Sequence, residues 1–159
     1  MALILANTMK LPRDVSPAVA AEFTIPSDVA EARRIQESIE QLLQGRRINE
    51  HDVFSIKLAL EEALVNAIKH GNQMDRGKKV HIAYQLLPDR FHVQITDDGP
   101  GFDPCEVPDP TAFENLERPC GRGLMLMRHY MTEVAFKDRG NTVAMTKVFR
   151  SSPSSNGKK

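Results

Sequence analysis

One segment places a carboxylate, a carboxamide and an ammonium on a common stripe. In EEALVNAIKHGN, residues 61–72, Glu62 and Asn66 are separated by four positions. At about 100° per residue they fall within about 40° of each other on a helix. Ser55, Ala59 and Lys69 share that stripe. A carboxamide oxygen suits Mg²⁺, a hard cation that prefers oxygen, usually alongside phosphate oxygens and water. A carboxylate one turn away can accept the proton of an attacking hydroxyl or water. A polar stripe on an ordinary solvated helix has the same spacing, so this box alone decides nothing.

Two further boxes follow. Asp97-Asp98-Gly99-Pro100-Gly101 comes directly after the alternating run Phe91–Ile95. Carboxylates and then glycines at the end of a strand let a ligand approach the backbone closely. Asp97 is an acceptor suited to an exocyclic amine such as that of adenine. A plain Asp-Gly turn explains Asp98-Gly99 equally well, but not the second glycine. Gly121-Arg122-Gly123-Leu124 is expected to precede a short apolar helix, where free N–H groups and the helix dipole favour phosphate. It is not a dinucleotide fingerprint, because no third glycine follows at the required spacing and no βαβ unit surrounds it.

These boxes need elements to hold them. Residues 1–18 have no clear period and read as an irregular arm with room for a short strand at its end. Ala20–Ile25 reads as an edge strand stopped by Pro26. Ser27 is the expected N-cap of a helix carrying Val29, Ala32, Ile35, Ile39 and Leu42–Leu43 on one face, and Gly45 is its expected C-cap. Asn49 opens a second helix in which Ile56, Leu60, Ala63, Leu64 and Ala67 recur, and Gly71 ends it. Val80–Leu87 and Phe91–Ile95 are expected strands. Residues 99–121 hold five prolines and read as a functional lid. A helix over Gly123–Met131 and strands over Glu133–Lys137 and Thr142–Phe149 complete the order. Paired strands imply hairpins, so the expected fold is α+β, a two-layer sandwich with a mixed, mostly antiparallel sheet and helices on one face.

Bulk properties limit the alternatives. The 159 residues suit one domain, set here at 19–150 with a low-complexity tail at 151–159. Lys plus Arg equals Asp plus Glu, 21 of each, so no overall footprint for nucleic acid or an anionic membrane exists. Cys105 and Cys120 read as unpaired thiols in a reducing compartment, and no apolar run is long enough for a signal or a span. The cytoplasm is the expected location.

The order of the three boxes, with a lid between the last two, resembles the GHKL superfamily of ATP-binding domains with their Bergerat-type fold. Within it the chain looks most like the anti-sigma factor serine/threonine kinases, over about residues 20–150, with E-x-L-x-N-A-x-x-H-G the most diagnostic stretch. The resemblance implies ATP and Mg²⁺ as ligands, Glu62 as catalytic base and Asn66 as the Mg²⁺ ligand. It also implies that Asp97 bonds the adenine amino group with Thr142 in support, and that Gly99 and Gly101 turn around it. Gly121, Arg122 and Gly123 would close over the phosphates, with Lys69 and His70 near them. The implied partners are a sigma factor and an anti-anti-sigma antagonist of the STAS type, and the kinase relatives are commonly homodimers. One departure stands out: Pro119 and Cys120 occupy the place of a lid arginine, so Arg118 or Arg122 must substitute. That departure motivates an alternative, a non-catalytic binding switch driven by ATP. A two-component histidine kinase fits less well, since no dimerising helix pair with a phosphoacceptor histidine precedes the domain.

Overall fold

The computed structural model describes residues 7–9, 18–101, 119–138 and 140–150. Six strands form one sheet: β1 (Asn7–Met9), β2 (Ala18–Pro26), β3 (Lys79–Leu86), β4 (Arg90–Asp97), β5 (Glu133–Lys137) and β6 (Thr142–Val148). Their spatial order is β1-β2-β3-β4-β6-β5, and every neighbouring pair is antiparallel. The expected two-layer sandwich is present, with α1 (Val29–Gly45), α2 (Glu50–Val65) and α3 (Pro119–Tyr130) on one face. Asn7–Met9 pairs with β2, so part of the stretch expected as an irregular arm is an edge strand.

Alternation sorts the sheet residues. Val80, Ile82, Tyr84 and Leu86 of β3 and Phe91, Val93 and Ile95 of β4 are buried under the helices. His81, Gln85, His92, Gln94 and Thr96 alternate with them and take the opposite face. Each fully buried large apolar side chain contributes about 1.5–3 kcal/mol.

The helix caps refine the expectations. Asp28, not Ser27, caps α1: its carboxylate accepts from Ala30 N at 2.8 Å. Ser27 is buried and donates to Lys78 O at 2.8 Å instead. Gly45 is the last residue of α1 rather than its cap, and the left-handed turn that follows is made by Arg47 at φ 57°. Asn49 caps α2 through His51 N, as its position predicts.

Ile39 and Leu43 of α1 pack with Ile56, Leu60 and Leu64 of α2 in the common core. α2 is buried far beyond one stripe: Ser55 and Ala59, placed with Glu62 and Asn66 by spacing, are 0% exposed. The solvated-helix reading of that stripe therefore fails along its first half. The helix does not simply stop at Gly71. Asn66–Gly71 forms one π-helical turn, closed by Asn72 N to Ala67 O at 2.8 Å. Single π turns of this kind often mark functional positions.

Lys147 of β6 anchors α3. Its ammonium donates to the carbonyl of Tyr130, the last residue of the helix, at 2.7 Å, and lies 4.0 Å from the buried carboxylate of Asp52 on α2. A cation at a helix C-terminus satisfies an orphan carbonyl and the dipole together.

Candidate nucleotide site

The π turn and the ends of β4 and β6 enclose a pocket. Its apolar walls are Ala63 and Ala67 from α2 and the π turn, Ile95, Met127, Phe136 and Val143. Asn66, His70, Gly71, Asp97 and Gly140 supply its remaining lining. A mostly apolar cleft with a few convergent polar groups is the usual form of a small-molecule site. Of the residues expected from sequence, Asn66, His70 and Asp97 are brought together here.

Asp97 closes β4 and is only 7% exposed. Its Oδ1 accepts from Gly99 N at 2.8 Å. Burial raises its pKa above the ordinary 3.8, Asp98 adds to the rise, and the Gly99 N–H and Lys78 oppose it. A carboxylate so placed gains from any donor a ligand brings. The π turn sets this up. A Cβ on Gly71 would collide with the Asp97 carboxyl group, and a Cβ on Gly99 would collide with Gly71 O. Only glycine allows the two backbones to approach this closely, a requirement that links the helix box to the strand box. Gly101 lies beyond at φ 84°.

The second cluster lies where α3 meets α2. A methyl group placed on Gly123 would stand 2.7 Å from both Glu62 Oε1 and Asn66 Nδ2. Glu62 and Asn66 thus converge on one point of α3. Asn66 Oδ1 is buried and has no hydrogen-bond partner among the described residues. An orphaned buried carboxamide oxygen costs about 1–3 kcal/mol. It fits a hard cation, which would be held by this oxygen and by groups of a bound ligand.

Several expectations need adjusting. Gly121 and Gly123 do not precede the helix: α3 begins at Pro119, so Gly121 lies in its first turn and Gly123 in the second. The phosphate-facing N–H groups expected of that box are therefore only those of the first turn. Thr142 does not enter the pocket. It pairs with Thr96, and its hydroxyl is 2.9 Å from Thr96 Oγ1 and donates to Asp138 at 3.2 Å. Strand alternation gives the pocket the next residue, Val143. Lys69 is exposed and does not line the pocket. Arg118, Cys105, residues 102–118 and the tail 151–159 lie outside the described residues, as do the side chains of Cys120 and Arg122.

Sequence reasoning missed Gly71, Asn72 and Asn141 as site residues. The first two stood inside the helix box, but a helix stop explains the glycine and no spacing rule points to the asparagine. Asn141 falls in an expected turn.

A model of the histidine kinase-like ATPase domain matches residues 25–147, most of the chain. The protein belongs to that family. The serine/threonine-protein kinase BtrW of Bordetella bronchiseptica is 28% identical over 104 residues, covering 64% of this chain and 73% of that protein. The serine-protein kinase RsbW of Staphylococcus aureus is 26% identical over 137 residues, covering 81% of this chain and 86% of its own. The matched region contains both clusters of the site. The RsbW-like GHKL resemblance therefore holds together with its fold, and no helix among the described residues is long and apolar enough to cross a membrane.

Proposed function

We propose that the protein is an ATP-dependent serine/threonine protein kinase that phosphorylates an anti-anti-sigma antagonist of the STAS type and sequesters a sigma factor. The observation that carries the reading is the convergence of Glu62 and Asn66 under Gly123, with Asn66 Oδ1 buried and without a partner among the described residues. Its position beside a mostly apolar pocket ending in Asp97 supports ATP as the phosphoryl donor.

Asp97 accepts from the adenine amino group and orients the nucleotide. Asn66 would hold Mg²⁺, which when bound neutralises phosphate charge. Glu62 takes the proton of the substrate serine as its oxygen bonds to the γ-phosphorus and the bond to ADP breaks. Positioning and electrostatics suffice for such a transfer. His70 lines the pocket, Lys69 follows the family pattern as a basic residue near the phosphates although it lies outside the pocket lining, and Gly121, Arg122 and Gly123 close from α3. The cytoplasm, a homodimer and a domain spanning 19–150 complete this reading.

The test is incubation of the protein with labelled ATP, Mg²⁺ and candidate antagonists. A labelled serine that vanishes in Glu62→Ala is expected. Undiminished labelling in that variant removes Glu62 from the role of base. The close seat of Gly123 on Glu62 and Asn66 favours a second reading, in which ATP moves α3 and so switches partner affinity without transfer. Partner binding that depends on ATP and leaves no phosphoserine selects that reading.

A further inference from the structure

The peptide group that follows Asp97 is held from both sides by carboxamides. On one side, Asn72 Oδ1 accepts from Asp98 N at 2.8 Å. On the other, Asn141 Nδ2 donates to Asp97 O at 3.1 Å, while Asn141 O accepts from Asp97 N at 2.9 Å. Asn72 is 0% exposed, and its amide hydrogens go to Ser27 Oγ at 2.8 Å and Lys79 O at 2.9 Å. Asp98 Oδ2 completes the ring by accepting from Lys79 N at 2.8 Å. One side chain thereby ties the end of the π turn to the end of β2, the start of β3 and the end of β4.

We propose that Asn72 and Asn141 are positioning residues for base recognition, clamping the Asp97–Asp98 peptide so that the Asp97 carboxylate presents its unshared oxygen to an amino group and rejects a carbonyl. This inference rests on the proposed reading of Asp97 as the acceptor for adenine. The physical reason is that a carboxylate on a free strand end samples many orientations, and discrimination between an amine and a carbonyl needs one. With the N–H of Asp98 and the C=O of Asp97 both engaged, the peptide plane cannot rotate. Oδ1 is fixed by Gly99 N, and Gly71 bars the carboxyl group from retreating. A site built around a required hydrogen bond rejects the analogue lacking it far more strongly than shape alone can. Guanine carries a carbonyl oxygen where adenine carries its amine, so the clamp is a specificity device.

The test measures dissociation constants for ATP and GTP on the full chain, together with melting temperatures. Wild-type protein is expected to prefer ATP strongly. Asn141→Asp keeps the shape and loses the donor to Asp97 O, and Asn72→Ser loses the reach to Asp98 N. Each is expected to weaken ATP about tenfold, the size of one lost buried hydrogen bond, and to leave GTP unchanged. Asn66→Ala is the contrast: it should weaken both nucleotides equally and keep the ratio. If Asn72→Ser does not fold, Asn141→Asp at its half-buried turn carries the test. A lowered melting temperature with an unchanged ATP-to-GTP ratio in both clamp variants overturns the inference and leaves Asp97 in place. If Asp97→Asn itself keeps the ratio, or wild type shows none, the reading of Asp97 fails and takes the clamp with it.

Discussion

The two ends of the site are built on opposite principles. At the Asp97 end most polar groups are paired inside the protein, from Gly99 N to the buried ring through Asn72, Ser27 and Lys79, although Asn141 Oδ1 is buried there without a partner among the described residues. At the Glu62–Asn66 end the oxygen left without a partner among the described residues, Asn66 Oδ1, is itself the expected cation ligand, and Gly123 of α3 sits directly against the cluster. The first end is preorganised and its geometry is part of the stability of the fold. The second stores an unfavourable term that a ligand can relieve. Recognition of a base needs a rigid template, whereas a cation and phosphates supply their own partners.

The largest effect that can break this contrast is Gly71→Ala. The new methyl must displace the Asp97 carboxyl group, so nucleotide affinity is expected to fall at least about a hundredfold and the melting temperature to fall with it. Calorimetry reads both, and retention of tight ATP binding would mean that Asp97 does not need its observed seat.

Asn66→Ala probes the other end. Because the removed oxygen has no partner among the described residues, the ligand-free protein should lose little stability, while the stabilisation by Mg·ATP shrinks by about 1–3 kcal/mol. Thermal shifts with and without nucleotide separate the two terms. A large loss in the ligand-free protein would show that Asn66 is a structural residue after all.

A third effect sharpens the electrostatic side. Burial raises the pKa of Asp97 in the folded chain, so its contribution to stability is full below the ordinary 3.8 and is lost as pH rises through the raised value. Asp97→Asn removes that loss. The variant should melt higher than wild type at neutral pH, with the advantage shrinking as pH falls toward 3.8. An advantage that does not change with pH would rule out burial of the carboxylate as its cause.

The smallest effect lies outside both ends. Asp28→Ala removes the N-cap of α1 and should lower the urea midpoint slightly, with nucleotide affinity unchanged. Urea melts and a binding titration on the same sample check it.

The pattern of the chain carried a good deal of this. Asn49 was readable as a cap, the strands from Lys79 to Asp97 as a hairpin, and the apolar face of α1 from its spacing, since each depends on neighbours close in sequence. Glu62 and Asn66 could be paired because a helix relates residues four apart. Cap preference alone does not separate Ser27 from Asp28; the choice falls to Asp28 because the Ser27 hydroxyl goes to Lys78, 51 positions away. Resemblance alone points to Thr142 beside Asp97, and the pleat of β6 turns it to the other face with Thr96.

By itself, then, the sequence determined the element types, the three boxes and the chemistry their residues can perform. Only the tertiary structure decided that Gly71 seats Asp97, that Gly123 covers Glu62 and Asn66, and that Asn72 and Asn141 clamp one peptide plane. The reason is physical: local pattern encodes the period of helices and strands, while hydrogen bonds between residues 26, 44 and 45 positions apart exist only once the sheet has closed. The π turn belongs with them, for no local propensity in NAIKHG calls for it. Its register places Gly71 against the end of β4.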